Sequence, residues 1–307
     1  MIGIDVMKFL KRVIAEEVGF FLSCPAFLWQ AVFLYLPLSL LLLYSIIDHS
    51  PDAGRWFFTL AYYKQIMHST YIKVVINSFM VAFTTAVICL SIAFPIAYFL
   101  ALKVAKRYRM FLLFSLILPS WTSLVVQAYA WFFLLDKNGL LAKTLRFLRI
   151  IRPEQSLLNN YTAILIGMVA VYLPFMILPL FTAIEKMDKR ILEASADLGA
   201  SRQQTFWRVI FPLSLPGVYA GFLLVFIPAF GEFAIPTLLG GSKIVSWGNL
   251  IVEKFLIAKD WRAGAAFASF GVLFPVLVLV AIYLVVAIIR RLRMRRPLPD
   301  LAQKDVW

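Results

Sequence analysis

Cysteine, histidine and acidic residues are scarce in this chain, and each shortage closes off a class of function. Two cysteines and two histidines among 307 residues make neither a disulfide framework nor a metal centre. Cys24 and Cys89 sit in apolar surroundings and read as small core residues, and His49 and His68 are isolated and carry no assigned role. Charged residues make up 15 % of the chain, against about a quarter in soluble domains. Acids are outnumbered by bases, 16 to 30, leaving a net charge of +14. That surplus does not mark a nucleic-acid binder, because the basic residues fall between apolar blocks rather than on one soluble face, as membrane proteins place them. A Gly-x4-Gly-Lys-Ser/Thr phosphate loop is missing; Gly139 to Lys143-Thr144 has a similar outline but lacks the second glycine. The apolar segments hold no nucleophile–base pair or metal cluster, which speaks against a membrane enzyme. Internal repeats and low-complexity tracts are also missing, so a single membrane domain is expected.

What the chain has in quantity is apolar length, with 62 % of residues hydrophobic. Crossing ~30 Å of hydrocarbon takes about 20 helical residues. Six blocks qualify, at 25–47, 76–102, 111–135, 160–184, 214–239 and 265–289, and Glu232 is the one charged residue inside them. Backbone polar groups in lipid need internal partners, so only helices or a closed barrel can cross, and runs without period-two alternation select helices. The expected fold class is all-α integral membrane, with six transmembrane helices. The N-terminal segment 1–24, the loops 103–110 and 185–213, and the tail 290–307 carry 3, 4, 5 and 6 Lys or Arg. Loops 48–75, 136–159 and 240–264 carry 3, 5 and 4. The heavier side is expected to face the cytoplasm, with both termini there and the chain in a bacterial cytoplasmic membrane. The first apolar run starts too late and is too long for a cleavable signal peptide. Arg290, Arg291, Arg293, Arg295 and Arg296 are expected to anchor the last helix against anionic lipid.

The exception to the charge bias, 136–159, reads as a basic amphipathic helix. Leu141, Leu145 and Leu148 share a face, with Lys143 and Arg146 away from it. Such a segment either lies on the membrane or meets a partner, or is a solvated loop helix.

The loop 185–213 reads as two short helices with a sharp joint. Ile191, Ala194 and Leu198 share one face, and Glu193 and Asp197 lie on another. Gly199 suits a left-handed C′ position, Ser201 with Gln204 forms a capping box for the next helix, and Pro212 and Pro216 are expected to limit that helix before the fifth span begins. The segment resembles the EAA loop of binding-protein-dependent ABC permeases, which reads Glu-Ala-Ala, three residues, Gly, nine residues, Ile-x-Leu-Pro. Glu193-Ala194-Ser195 fills the triplet, Gly199 the glycine and Val209-Ile210-Phe211-Pro212 the end, with every spacing kept. Asn77-Ser78 extends the likeness to the second span. The resemblance implies the type I importer permease fold. It also implies a homologous second permease as heterodimer partner, two copies of an ATP-binding subunit and an extracytoplasmic substrate-binding protein. This chain would hold no cofactor, since ATP and Mg belong to the partner ATPase. Coupling to the ATPase would fall to Glu193, Ala194, Ser195, Asp197, Leu198, Gly199 and Pro212, with closure of the ATPase pair switching the spans between inward- and outward-facing.

Glu232 is the candidate for the substrate pathway, because an ionisable group in a span is functional by default. It sits in a stretch broken by glycine and two prolines, Pro228 to Pro236. Its carboxylate either pairs with a cationic substrate, helped by cation–π contact with Phe230 and Phe233, or holds helices together. Trp121, Gln127, Tyr129 and Trp131 add polar and aromatic groups in the third span, where aromatics also serve as interface belts. Gly217 and Gly221 read as a close-packing pair. The run Gly231 to Gly241, followed by Asp260-Trp261-Arg262, is similar to the spermidine/putrescine permease branch, in which proline stands at the place of Arg262 and an acid is common at that of Thr237. Related branches carry opines, iron, sulfate or thiamine. A secondary transporter, the other class weighed, usually shows paired membrane carboxylates or repeated halves, and this chain shows neither.

Overall fold

The computed structural model describes residues 23–50, 55–152, 156–241 and 244–294. The N-terminal segment, apart from Ser23 and Cys24, and the tail beyond 294 lie outside the described residues. In chain order the elements are helix α1 (Ser23–Ile46), the hairpin β1 (Ile47–Ser50) and β2 (Arg55–Phe58), α2 (Ala61–Ile66), and α3 (Ser69–Leu102). Next come α4 (Lys106–Ile117), which tightens into a 3₁₀ turn at Leu118–Trp121, and α5 (Leu124–Leu135). These are followed by α6 (Leu140–Phe147), α7 (Tyr161–Glu185), α8 (Lys189–Asp197), α9 (Arg202–Phe230) and α10 (Ala234–Gly240). The last two are α11 (Trp247–Val252) and α12 (Trp261–Met294). Five helices (α1, α3, α7, α9 and α12) are long and apolar enough to cross a bilayer, and the pair Lys106–Trp121 and Leu124–Phe147, bent by 90°, makes a sixth when counted as one span.

The centre is built from α3, α7 and α9. Helix α3 offers a stripe of small residues, Ala82, Ala86, Cys89, Ala93 and Ala97, all fully buried. Their spacing of three and four puts them on one face, and that face lets α7 approach closely. On α9 the glycine pair does the same. A Cβ on Gly217 would stand 2.6 Å from Ala183 Cβ and 2.7 Å from the Pro179 carbonyl oxygen, and one on Gly221 would stand 2.7 Å from Met176 Sδ. Lipid tails supply no hydrophobic drive between helices, so close packing of small residues supplies the attraction. The outer helix α1 packs chiefly on α12 and leaves most of its apolar surface exposed.

Two sequence expectations need correction. The third span, expected to run unbroken over 111–135, bends by 90° at Thr122 and Ser123. The helix ladder stops there, and side chains take over the carbonyls left free at its end. Ser120 Oγ donates to Ile117 O at 2.6 Å, Thr122 Oγ1 to Pro119 O at 2.8 Å, and Gln127 Nε2 to both Pro119 O and Thr122 O at 3.0 and 3.1 Å. Second, Pro212 and Pro216 do not limit the helix after the capping box, because α9 runs continuously through both to Phe230. A π turn at Phe206–Ile210 ends two residues before Pro212 and widens the backbone where the ring would strike the carbonyl of Arg208. Helix α1 uses the same device, a π turn at Ala31–Tyr35 ahead of Pro37. Beside the helices there is one short antiparallel hairpin, which pairs Ile47 with Phe58 and Ser50 with Arg55.

That hairpin explains one departure from the resembled branch. Arg262, where the branch has proline, forms an ion pair with Asp48 of β1, and Tyr62 Oη donates to the same carboxylate at 3.1 Å. Partial burial holds the Tyr62 hydroxyl above its usual range, and Asp48 adds to the rise against the opposing pull of Arg262. At neutral pH the hydroxyl therefore stays protonated and donates. The hairpin and α2 are tied in this way to the start of α12. At the other end, buried Arg109 donates through Nε to Val104 O at 2.9 Å and reaches Glu185 Oε1 at 3.4 Å, fixing the α3–α4 turn to the end of α7.

The packing at the glycine pair leads to a contrast. Gly217→Val is expected to destabilise the protein by about 1–3 kcal/mol through overpacking. Gly231→Ala, whose Cβ would meet only Pro228 O at 3.9 Å, is expected to change little. Thermal unfolding of the two variants in detergent checks the pair.

Candidate functional site

Glu232 lies in the break between α9 and α10 and is 7 % exposed. Its carboxylate is fully engaged. Oε1 accepts from the backbone N–H groups of Phe233 and Ala234 at 3.0 and 2.9 Å, and Oε2 accepts from Tyr172 Oη of α7 at 2.8 Å. The side chain thus supplies acceptors where the α9 ladder stops, as an N-terminal cap does. The break itself is locked from a third direction. Ser246 Oγ donates to Glu232 O at 2.8 Å, and the following amide, Trp247 N, donates to Ser78 Oγ of α3 at 2.7 Å. Gly248 permits this approach, because a Cβ there would lie 2.3 Å from Gly231 O. The crevice beside Glu232, lined also by Asn77, Ser78 and Ser246, measures about 10 Å³. That is at most the room of one water molecule, and no organic cation fits beside the carboxylate in this state.

A larger cavity, about 340 Å³, opens on the other side of Tyr172. Its polar lining is Ser120, Thr122 and Gln127 from the α4–α5 bend together with Tyr172, and its apolar walls include Phe175 and Leu224. The size lies within the range of small-ligand sites. Tyr172 thus lines the cavity and also donates its hydroxyl hydrogen to the buried carboxylate.

The structure separates the residues singled out for the pathway. Gln127 lines the cavity, and Glu232 touches it only through Tyr172. Phe230 is fully buried and packs on Phe274, ring centroids 5.5 Å apart, while Phe233 is exposed beyond the break. Trp121 is 72 % exposed against Phe114, and exposed Tyr129 lies beside Phe133, so both face outward. Trp131 is half-buried against the core. Sequence reasoning missed Tyr172, Ser120 and Thr122. A signal existed for the last two, since Pro119 followed by hydroxyl residues in an apolar run marks a broken helix; Tyr172 gave none, being a lone tyrosine sixty residues from its partner. Thr237, where an acid is common in the resembled branch, accepts from Asn249 Nδ2 at 3.0 Å.

In the 185–213 segment Asp188 caps α8, its side chain accepting from Arg190 N. Gly199 ends the helix at φ +76, and the capping box at Ser201 and Gln204 is complete. Ser195 is buried, and its hydroxyl shares a 2.8 Å hydrogen bond with Thr205, which pins α8 to the first turn of α9. Glu193, Ala194, Asp197 and Leu198 are exposed, Leu198 at 88 %. Pro212 lies well inside α9.

Residues 93–296 match the family described as binding-protein-dependent transport system inner membrane component. The chain belongs to this family. Among curated proteins, the permease is 38 % identical over 260 residues to the spermidine/putrescine transport system permease protein PotB of Haemophilus influenzae, covering 84 % of this chain and 90 % of the relative. It is 39 % identical over 240 residues to PotB of Escherichia coli K12, covering 78 % and 86 %. A solved bacterial alginate ABC transporter, crystallised with an alginate pentasaccharide-bound periplasmic protein, superposes with a TM-score of 0.68 at 16 % identity, covering 88 % of the permease and 94 % of that chain. At that identity the likeness speaks for the fold. The permease is thus a multi-pass protein of the bacterial inner membrane, a component of a binding-protein-dependent ABC importer. The family match takes in the cavity, Glu232 and the α8 corner, and leaves out α1 and the hairpin.

The engaged carboxylate predicts coupled losses of stability. Glu232→Ala leaves two backbone donors without their acceptor and is expected to cost about 1–3 kcal/mol, and Tyr172→Phe about 1 kcal/mol. In the double variant the losses should fall short of their sum, because both single changes break the same hydrogen bond. Thermal unfolding of the three variants measures the cycle, and strict additivity would deny the bond.

Proposed function

We propose that this permease forms half of the membrane pathway of an ATP-driven importer for polyamines of the spermidine and putrescine class. The observation that carries the substrate class is the identity over most of the chain to permeases named for spermidine and putrescine transport. The driving machinery lies on other chains: a homologous second permease, two ATP-binding subunits that hold ATP and Mg, and an extracytoplasmic binding protein that delivers the amine. The termini and the 185–213 segment face the cytoplasm, in keeping with the charge bias of the loops.

Geometry supports a coupling role for α8. It is a nine-residue helix held at both ends, by the Asp188 cap and by the Ser195–Thr205 bond, and it displays an apolar tip. A leucine at 88 % exposure contributes nothing to the folding of this chain and gains area only against a partner. The continuous helix α9 joins that tip to the Glu232 break. A push on α8 therefore moves a rod whose far end borders the cavity.

Two measurements test the reading. In the reconstituted complex with its binding protein, putrescine or spermidine at micromolar levels is expected to stimulate ATP hydrolysis; stimulation by a different solute alone would discard the polyamine class. Leu198→Asp is expected to lower transport by about tenfold or more, the scale of a lost interface anchor, without changing thermal stability. Normal uptake by that variant would remove α8 from the coupling path.

A further inference from the structure

The cavity at the α4–α5 bend has a polarity fixed by its hydrogen bonds. Ser120 and Thr122 hydroxyls bond to Ile117 O and Pro119 O. A carbonyl oxygen only accepts, so both hydroxyl hydrogens point back into the bend. Gln127 bonds Pro119 O and Thr122 O through one terminal atom, and two carbonyl partners require that atom to be the amide nitrogen. Both of its hydrogens are engaged, and Oε1 remains as acceptor. Tyr172 directs its hydrogen to Glu232 Oε2, away from the cavity. Each of the four polar side chains lining the cavity thus has its hydrogens committed elsewhere and keeps oxygen lone pairs available.

We infer that this cavity is the membrane site for the substrate's ammonium groups, recognised by a cage of neutral oxygen acceptors, with Glu232 acting at one remove by holding the Tyr172 hydrogen out of the cage. The inference rests on the polyamine reading and deepens it. An ammonium carries three donors and no acceptor, so it complements a lining that only accepts, and the ring of Phe175 adds a π face. An anion meets lone pairs on every polar side chain and is rejected. Neutral acceptors also suit transit, since a site that must release its ligand cannot bind it as tightly as a buried carboxylate would. Glu232 is a positioning residue in this scheme.

The test is uptake of radiolabelled putrescine and spermidine by the whole reconstituted complex, normalised to assembled protein. Gln127 has two separable roles, capping the bend through its nitrogen and facing the cavity through its oxygen, and two variants rank them in opposite orders. Gln127→Glu keeps the acceptor and loses the cap, whereas Gln127→Lys keeps a donor for the cap and brings a cation to the cavity. The cage predicts a loss of about tenfold or more for Lys, and for Glu an uptake above that of Lys but with turnover below wild type, because a carboxylate releases the ammonium slowly. Uptake with Lys equal to or above that with Glu overturns it and leaves Gln127 as a cap. If neither variant assembles, Thr122 decides. Thr122→Val should lose about fivefold, with Thr122→Ser restoring uptake, and wild-type uptake by Thr122→Val overturns the cage. A wild-type complex that hydrolyses ATP with its binding protein but imports no amine overturns the polyamine reading and the cage together. Amine import with the variant order reversed overturns the cage alone.

Discussion

Inside hydrocarbon no water is available to complete a broken hydrogen-bond ladder, and an unpaired backbone group there costs several kcal/mol. Every departure from straight helix in this permease is organised by that constraint. At the α4–α5 bend the freed carbonyls are taken by Ser120, Thr122 and Gln127. At the α9–α10 break the freed amides are taken by Glu232. Ahead of Pro37 and Pro212 a π turn widens the helix instead of breaking it. The two true breaks therefore have opposite chemistry. One needs donors and engages side-chain hydrogens; the other needs acceptors and engages a carboxylate. Tyr172 stands between them, and its single hydroxyl hydrogen goes to the Glu232 carboxylate at the second break.

This arrangement recasts the one charge in the spans. A carboxylate in a membrane helix invites a direct role with a cation, and its isolation in the sequence strengthens the invitation. In the folded protein the same carboxylate has three donors and a neighbouring crevice of about 10 Å³. Its influence on the larger cavity passes through the orientation of one hydroxyl. The packing that permits this is glycine-based, with Gly248 against Gly231 and the Gly217–Gly221 pair against α7. Close approach of backbones brings α7 near enough for a tyrosine sixty residues away to reach the break.

Much of the architecture was legible because its signals are local. Apolar length pointed to each of the five long apolar helices, though the expected fifth block, 214–239, starts twelve residues inside α9 and runs past its end at Phe230. The Gly199 corner and the Ser201–Gln204 box depend on spacing that the sequence states outright. The prolines were harder. Pro119, Pro212 and Pro216 carry the same local penalty, yet the first breaks a helix and the others do not. The outcome depends on whether nearby hydroxyl and amide side chains can satisfy the freed carbonyls or a widened turn can absorb the ring. The hairpin was hidden because Ile47 and Phe57-Phe58 continue or follow apolar runs without alternation. Phe230, Trp121 and Tyr129 illustrate the limit of composition: an aromatic in a span has the same letter whether it faces the core, the lipid or a cavity.

The separation of charge from the cavity bears on how such a pathway can be both selective and fast. A carboxylate exposed to a dehydrated dication would hold it strongly at low effective dielectric, since attraction between unit charges grows steeply as water is removed. Hydroxyl, amide and ring faces select for donors with far weaker hold on the ligand. If α9 carries the push from α8 to the Glu232 break, the bond between Tyr172 and Glu232 lies where motion of the rod is felt first. Loosening it would free the tyrosine hydrogen to turn toward the cavity, converting an acceptor into a donor and weakening the grip on an ammonium at the moment of release. Selectivity and release then draw on one hydroxyl, and a substitution that keeps its oxygen but misplaces its hydrogen should disturb both.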